Sequence, residues 1–199
     1  SFKCRQSTTV TNMNSRVAIL SAIPAELNGF PEEDWESQIL YTGVGKINAT
    51  KALMEHAGHL RNWNYSIINY GTAAKVSDKV EVGKLYEVTN FIQRDMDVTP
   101  LGFQNYETPW GNRNISFLTT TLDGITCGTG DSFYLHGEAK QNDYDIVDME
   151  SYALATVCKD YDIPFRCFKY ISDAGDPQEW TANASKGVDL FVEKLKEIL

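Results

Sequence analysis

Three acidic residues follow short apolar segments of the chain, where the strands of an α/β protein would end. Asp173 comes after the apolar segment 164–171, and Glu26 comes after the segment 16–21. Glu150 stands between a short apolar segment and a segment with helical spacing. Because ligands of open α/β sheets bind beyond the carboxyl ends of the strands, these carboxyl groups could act as acid and base on a bound molecule.

The segment around Asp173 also has a simpler interpretation. Residues 172–176 read Ser-Asp-Ala-Gly-Asp and precede Pro177, a composition that is typical of a turn joining a strand to a helix. Taken alone, this segment favours a connecting turn over a catalytic edge. Glu26 has a similar alternative, because a carboxylate stabilises the first turn of a helix without taking part in chemistry.

The elements that would position these residues alternate along the chain. Short apolar segments at residues 16–21, 37–42 and 65–70 predict buried strands. Apolar residues at helical spacing predict helices at residues 46–60 and 181–199. This alternation predicts a three-layer α/β/α sandwich with a central mixed, twisted sheet.

Further features complete the predicted organisation. The small residues 71–74 indicate a turn after the third strand, and residues 115–121 and 124–128 have the pattern of a hairpin. Residues 1–15 are polar and lack periodicity, which is typical of a disordered leader. We therefore expect one domain over residues 16–199.

Composition limits the partners of the chain. Its 18 basic and 27 acidic residues give a net charge of −9, which opposes binding to nucleic acid or to anionic lipid. The most apolar segments, such as residues 16–23, are too short to span a bilayer. We expect neither nucleic acid nor a membrane as a partner.

Cysteine and histidine positions give no sign of a metal. The chain has four widely spaced cysteines, Cys4, Cys127, Cys158 and Cys167. Without a C-x-x-C pair they indicate neither a zinc site nor a disulfide framework, which favours the reducing cytoplasm. His56 and His59 lie one helical turn apart but have no companion ligand nearby. We expect no metal and no cofactor.

Six segments of the chain resemble, in this order, motifs of the purine nucleoside phosphorylase and nucleosidase superfamily. They are residues 43–46 (GVGK), 71–73 (GTA), 95–102 (DMDVTPLG), 129–133 (TGDSF), 149–150 (ME) and 171–176 (ISDAGD). The resemblance is closest to the 5′-methylthioadenosine/S-adenosylhomocysteine nucleosidases. It implies hydrolysis of the N-ribosidic bond of a purine nucleoside, in methionine salvage, with no cofactor.

The resemblance also implies the roles of the acidic residues. Asp173 would protonate the purine at N7, and Ser172 would position Asp173. Glu26 would be the base that activates water on the other face of the sugar, as in inverting glycoside hydrolysis.

Further residues would bind the nucleoside by the same resemblance. Glu150 would accept hydrogen bonds from the ribose hydroxyls, and Met149 would pack against the sugar. Phe133 would stack on the purine. Thr72 stands where the family has a serine near the water or the phosphate.

The family also implies a homodimer, in which the loop that contains Leu101 reaches into the site of the partner. The chain departs from the family in two regions that shape the 5′ pocket and the dimer interface, since it is shorter after Phe30 and after Phe103. Lys169 and Tyr170 replace an Arg-Ala pair. These departures place the 5′ substituent of the substrate in doubt.

Several alternatives remain. Related phosphorylases bind phosphate with an arginine where this chain has Asn69, which favours water as the nucleophile, although Arg94 leaves phosphorolysis open. Other modified purine or 7-deazapurine ribosides are alternative substrates. A nucleoside-binding module without catalysis would keep the same fold.

Overall fold

The computed structural model describes residues 16–31, 37–111, 115–116, 124–137 and 143–199. The predicted leader at residues 1–15 lies outside these ranges. Every helix within them is too short or too polar to cross a membrane.

The strands and helices alternate through most of the described chain. The strands are β1 (Arg16–Ser21), β2 (Ser37–Tyr41), β3 (Tyr65–Lys75), β4 (Leu85–Gln93), β5 (Ile115–Ser116), β6 (Ile125–Thr129), β7 (Ile146–Asp148) and β8 (Phe165–Asp173). The helices are α1 (Lys46–Asn62), α2 (Ser151–Asp160), α3 (Pro177–Asn183) and α4 (Val188–Ile198), with 3₁₀ turns at Pro24–Leu27 and Thr99–Leu101.

The strands form one mixed sheet, as predicted. β1 lies parallel between β2 and β3, and β3 pairs in parallel with β8. β8 pairs antiparallel with β4, β4 parallel with β6, β6 parallel with β7, and β7 antiparallel with β3. Five strands therefore close into a barrel-like ring, which the twist of a sheet permits.

Helices cover both faces of the sheet, which confirms the three-layer sandwich. Ala18 and Leu20 of β1 belong to the same buried cluster as Leu53 of α1. Their neighbours in β1, such as Ile19, belong to a second cluster with Phe191 of α4. This alternation follows from the two-residue repeat of a strand, and each large side chain buried in this way contributes about 2 kcal/mol.

The predicted turn at residues 71–74 is wrong, because β3 continues to Lys75. β3 pairs with β8 through Ala73 and Ala74, and with β7 through Ala74 and Lys75. Partners on two sides satisfy the backbone groups of this segment, so the small residues remain in a strand.

The predicted hairpin between β5 and β6 is also wrong. Phe91 of β4 pairs with Ile115 of β5 and with Cys127 of β6, so that β4 lies between the two strands. The residue pattern identified both strands but not their partner. Residues 117–123 lie outside the described ranges.

The predicted terminal helix is two helices, α3 and α4. Gly187 stands at the N-terminus of α4, where an added Cβ would lie 2.4 Å from the ring of Tyr170. The Tyr170 ring therefore packs directly on the backbone of Gly187. Glycine also disfavours a continuous helix, and residues 184–187 form a turn between α3 and α4.

Candidate active site

One cavity of about 380 Å³ opens at the carboxyl ends of β1, β3 and β8. These strands are mutually parallel, so their ends meet at the same edge of the sheet. The volume lies within the range of small-molecule sites. Six predicted site residues line the cavity, namely Glu26, Thr72, Phe133, Met149, Glu150 and Asp173.

Glu26 is held between two strands that are distant in sequence. It lies on the 3₁₀ turn after β1 and is 5% exposed. Its Oε1 accepts hydrogen bonds from the backbone N–H and the hydroxyl of Thr72, both at 2.8 Å. Its Oε2 accepts a hydrogen bond from Ser21 Oγ at 2.9 Å. These donors orient both carboxylate oxygens.

Gly71 allows Glu26 to approach β3 closely. A Cβ at Gly71 would lie 3.1 and 3.2 Å from the carboxylate oxygens of Glu26 and 3.3 Å from Nζ of Lys169. Lys169 is the partner of Gly71 in the neighbouring strand β8. Because Gly71 has no side chain, the Glu26 carboxylate and the Lys169 ammonium group both have room beside the same backbone position.

Asp173 is held by its own local segment. It ends β8 and is almost fully buried. Its Oδ2 accepts a hydrogen bond from Ser172 Oγ at 2.7 Å, and its Oδ1 accepts from the backbone N–H groups of Gly175 and Asp176 at 2.8 and 3.3 Å. Gly175 has a φ of +94°, which favours glycine, and an added Cβ there would lie 2.4 Å from the backbone nitrogen of His136.

A buried ion pair lies behind the cavity. Lys169 Nζ is 2.8 Å from Asp148 Oδ2, and both side chains are almost fully buried. Burial alone would lower the pKa of Lys169, but the Asp148 carboxylate raises it well above its usual range. Burial alone would raise the pKa of Asp148, but Lys169 and the hydroxyl of Thr129, 2.6 Å from Oδ1, lower it. Both groups therefore remain charged at neutral pH.

Glu150 faces the cavity beside this pair. Its Oε1 accepts a hydrogen bond from the backbone N–H of Gly45 at 2.9 Å. Burial raises the pKa of Glu150 to about 7, and the nearby Asp148 carboxylate adds to the rise. A carboxyl group with this pKa changes its charge in the physiological range.

The turn that carries Phe133 is fixed by charged neighbours. Asp131 Oδ1 accepts a hydrogen bond from the backbone N–H of Lys46 at 2.8 Å, and the N–H of Asp131 donates to Asp95 Oδ2 at 2.9 Å. Lys46 Nζ lies 2.6 Å from Asp95 Oδ1. Several residues of the family motifs therefore position the aromatic ring and do not face the ligand cavity themselves.

Two predicted site residues do not line the cavity. Ser172 is fully buried, and its hydroxyl donates a hydrogen bond to Asp173. Leu101 lies on the second 3₁₀ turn, is 73% exposed, and does not reach the cavity of its own chain. Its predicted role in the site of a partner stays a prediction.

Sequence reasoning missed the roles of Asp148, Lys169 and Trp180. A lysine inside an apolar strand segment is a usable signal, because a buried ammonium group requires a carboxylate partner. Asp148 is a carboxylate that could be this partner, but no sequence pattern links it to Lys169. Trp180 lines the cavity from α3, and its Nε1–H donates a hydrogen bond to Thr72 Oγ1 at 3.0 Å.

A sandwich whose strand ends surround one cavity, with carboxyl groups and an aromatic ring facing it, has the form of an α/β enzyme for a small ligand. The family model described as the phosphorylase superfamily matches residues 35–199. The chain belongs to that superfamily, which confirms the resemblance read from the six motifs.

Curated relatives carry the name 5′-methylthioadenosine/S-adenosylhomocysteine nucleosidase. The protein of that name from Anoxybacillus flavithermus is 29% identical over 160 residues, which is 68% of this chain and 66% of the relative. The protein of that name from Haemophilus influenzae is 28% identical over 187 residues, which is 81% of this chain and 76% of the relative. The chain thus spans about two thirds to three quarters of these relatives.

Solved structures share the fold at lower identity. Futalosine hydrolase of Helicobacter pylori superposes with a TM-score of 0.78 at 17% identity, over 92% of this chain and 96% of that one. The 5′-methylthioadenosine/S-adenosyl homocysteine nucleosidase of Helicobacter pylori, in complex with a substituted pyrrolidin-3-ol, gives the same TM-score and identity, over 92% of this chain and 97% of that one. Both agree with the three-layer architecture.

Proposed function

We propose that this protein hydrolyses the N-ribosidic bond of a purine nucleoside. One observation carries the proposal: Glu26 in the turn after β1 and Asp173 at the end of β8, two buried carboxyl groups, face the same cavity as Phe133 and Glu150. This set contains an acid, a base, a stacking surface and an acceptor for sugar hydroxyls.

The contacts around the cavity indicate which residues would bind the purine and which would bind the sugar. The backbone N–H of His136, just after the turn with Phe133, donates to the carbonyl of Gly175 in the loop after Asp173. The aromatic ring and this acid are thereby tied together, as binding and protonation of a purine require. Glu26 and Glu150 line the same cavity, which lets both act on one bound sugar.

The reaction follows from this arrangement. Asp173 donates a proton to N7 of the purine while the bond between C1′ and N9 breaks, so the leaving base departs neutral. Water attacks C1′, and Glu26 accepts the proton that the water loses. Glu150 accepts hydrogen bonds from the ribose hydroxyls, and Met149 packs against the sugar.

Water is favoured over phosphate because the cavity is acidic. Four carboxyl groups line it, those of Glu26, Asp148, Glu150 and Asp173. In the part of the chain that the structure describes, no lysine or arginine side chain joins them at the cavity wall. The guanidinium of Arg94 binds the carbonyl and hydroxyl of Ser132 outside the cavity. A phosphate dianion would therefore meet the Glu26 carboxylate and no arginine or lysine of the described cavity wall to bind it.

Adenosine thioethers are the proposed substrates, since the curated relatives are named for them. Other modified purine or 7-deazapurine ribosides are the second choice. We place the reaction in methionine salvage in the cytoplasm. Three cysteines, Cys127, Cys158 and Cys167, are buried free thiols, which suits a reducing compartment.

The decisive experiment incubates the protein with a panel of purine and deazapurine ribosides, with and without phosphate, and separates the released base and sugar by chromatography. Native protein should release free base and free sugar without phosphate. Asp173→Asn and Glu26→Gln should each lower kcat by about a thousandfold. The exposed Glu193→Gln serves as the matched control and should retain full activity.

Each other result points to a different function. A sugar phosphate formed only with phosphate would show phosphorolysis. Tight binding of a nucleoside without release of base would show a binding module. Full activity of Asp173→Asn would contradict the assignment of the acid.

We also propose a homodimer in which Leu101 completes the site of the partner subunit. Sedimentation should give twice the chain mass of 22.4 kDa. Leu101→Asp should raise KM for substrates with a bulky apolar 5′ group more than for adenosine. A monomer with full activity would contradict this proposal.

A further inference from the structure

Helix α3 forms one wall of the cavity. Pro177, Trp180 and Thr181 of this helix face the same space as Glu26 and Asp173. Trp180 extends from the helix to β3, where its indole Nε1–H donates to Thr72 Oγ1 at 3.0 Å. This bond connects the segment after the acid to the strand that holds the base.

The hydrogen bonds at Thr72 determine where its hydroxyl proton lies. An indole N–H only donates, so Thr72 Oγ1 accepts from Trp180. The same hydroxyl lies 2.8 Å from Oε1 of Glu26, and a carboxylate only accepts. The single proton of Thr72 therefore points at Glu26. The hydrogen bonds from Trp180 to Thr72 and from Thr72 to Glu26 therefore run in one direction, and each of these donors has one acceptor.

We propose that Trp180 is a positioning residue for the base, which acts through the Thr72 hydroxyl to hold Glu26 in the orientation that activates water. The inference rests on the proposed hydrolysis. It adds a residue outside the six motifs and gives α3 a role in the reaction. Without the indole donor, the Thr72 hydroxyl can rotate away from Glu26, and the carboxylate loses one of its three donors.

A purely structural role for the indole bond is a weaker explanation, because α3 is anchored without it. Asp176 Oδ1 accepts hydrogen bonds from the backbone N–H groups of Gln178 and Glu179, which caps the start of the helix. Asn183 Nδ2 donates to the carbonyl of Ser172 at 2.8 Å, which holds its end. Removing one indole N–H should leave the helix in place.

The test is a set of variants at Trp180 and Thr72. Trp180→Phe keeps an aromatic ring and removes the indole N–H together with the pyrrole ring, so kcat should fall about fivefold while KM stays within about twofold. Thr72→Val should lower kcat further, because it removes the bond to Glu26. In the Thr72→Val background, Trp180→Phe should have no further effect, since the indole acts only through that hydroxyl.

Two controls separate this mechanism from general damage. Thr72→Ser keeps the hydroxyl, so the fivefold effect of Trp180→Phe should return in that background. Trp63→Phe, at the end of α1 and outside the cavity, should leave kcat unchanged. An unchanged kcat in Trp180→Phe, or an equal loss in the Thr72→Val background, would overturn the proposal.

A measurement without catalysis tests the Trp180–Thr72 hydrogen bond separately from the proposed function. In proton NMR, the indole N–H signal that disappears in Trp180→Phe identifies Trp180. Its exchange with solvent should be slow in the native protein and in Thr72→Ser, and faster in Thr72→Val. If no riboside is cleaved but this pattern is found, hydrolysis is wrong and the Trp180–Thr72 bond stands. If Thr72→Val leaves the exchange rate of the indole N–H unchanged, Trp180 does not donate to Thr72 and the proposal is overturned.

Discussion

Glu26 and Asp173, the two proposed catalytic carboxyl groups of the cavity, are both buried but held in different ways. Asp173 receives its hydrogen bonds from Ser172, Gly175 and Asp176, all within three positions of it. Glu26 depends mainly on Thr72, which is 46 positions away on another strand. The hydrogen bonds to the acid, Asp173, therefore form within a short segment. Those from Thr72 to the base, Glu26, form only when β1 and β3 are paired in the folded sheet. Changes in the sheet should therefore affect the base more than the acid.

The largest effect is expected at the Lys169–Asp148 ion pair, which lies behind the cavity. Lys169→Met leaves the buried carboxylate of Asp148 without its cation and should lower the free energy of unfolding by about 4 kcal/mol. Urea denaturation measures this change. Lys169→Arg keeps the charge and should lose much less. Equal stability of the native protein and Lys169→Met would show that the pair does not support the sheet.

Gly71→Ala tests the remote support of Glu26 directly. The new Cβ would press on the carboxylate from 3.1 Å, so the base should shift and kcat should fall about tenfold. Gly58→Ala is the matched control, because a Cβ at that position on α1 has open space and should leave kcat unchanged. Steady-state kinetics on the best riboside compares the two. Equal kcat values would mean that Glu26 tolerates displacement.

The pH dependence tests the sugar side of the cavity. Because the pKa of Glu150 is raised to about 7, its carboxylate form, which accepts the ribose hydroxyls, increases with pH. We expect kcat/KM to rise by up to about tenfold from about pH 6 to about pH 8, and this rise should be absent in Glu150→Gln.

The stability of the protein should change in the opposite direction. A carboxyl group with a raised pKa contributes stability that is fully present below its unfolded value of 4.5 and is lost as the pH rises through about 7. Thermal unfolding of the native protein and Glu150→Gln across this window measures the contribution. Parallel curves for the two proteins would contradict the raised pKa.

The smallest effect is expected at Asp176, which lies beside the proposed acid, Asp173. Asp176→Ala removes the cap of α3 and should lower the free energy of unfolding by about 1 kcal/mol. The backbone N–H of residue 176 remains available to Asp173, so kcat should change less than in Gly71→Ala. Asp189→Ala removes a carboxylate from the first turn of α4, where no side chain caps the helix, so it measures the loss of the charge without the loss of a cap. A larger loss of kcat than in Gly71→Ala would reverse the comparison.

Residue patterns predicted the elements of the fold better than their pairing. β1, β2 and α1 begin where the pattern placed them, and the α/β alternation predicted the sandwich. The pattern missed that residues 71–74 stay extended and that β4 separates β5 from β6. Local composition describes which residues prefer a strand, but the choice of neighbours depends on the whole sheet.

The candidate site shows the same division. Asp173, Glu150 and Phe133 stand in recognisable motifs, and the structure brings them to one cavity. Lys169 departs from the family motif, and Trp180 lies outside the six motifs. Neither residue has a local signal for its partner, since Asp148 and Thr72 lie on other strands.

The sequence by itself determined the α/β class, the family and the acid end of the cavity, because these depend on residue periodicity and on bonds within a few positions. Only the tertiary structure decided how Glu26 is held, which cation balances Asp148, and that Trp180 reaches Thr72. These contacts join strands and helices that are far apart in the chain. Their geometry is set when buried surfaces pack together, and no short segment contains that information.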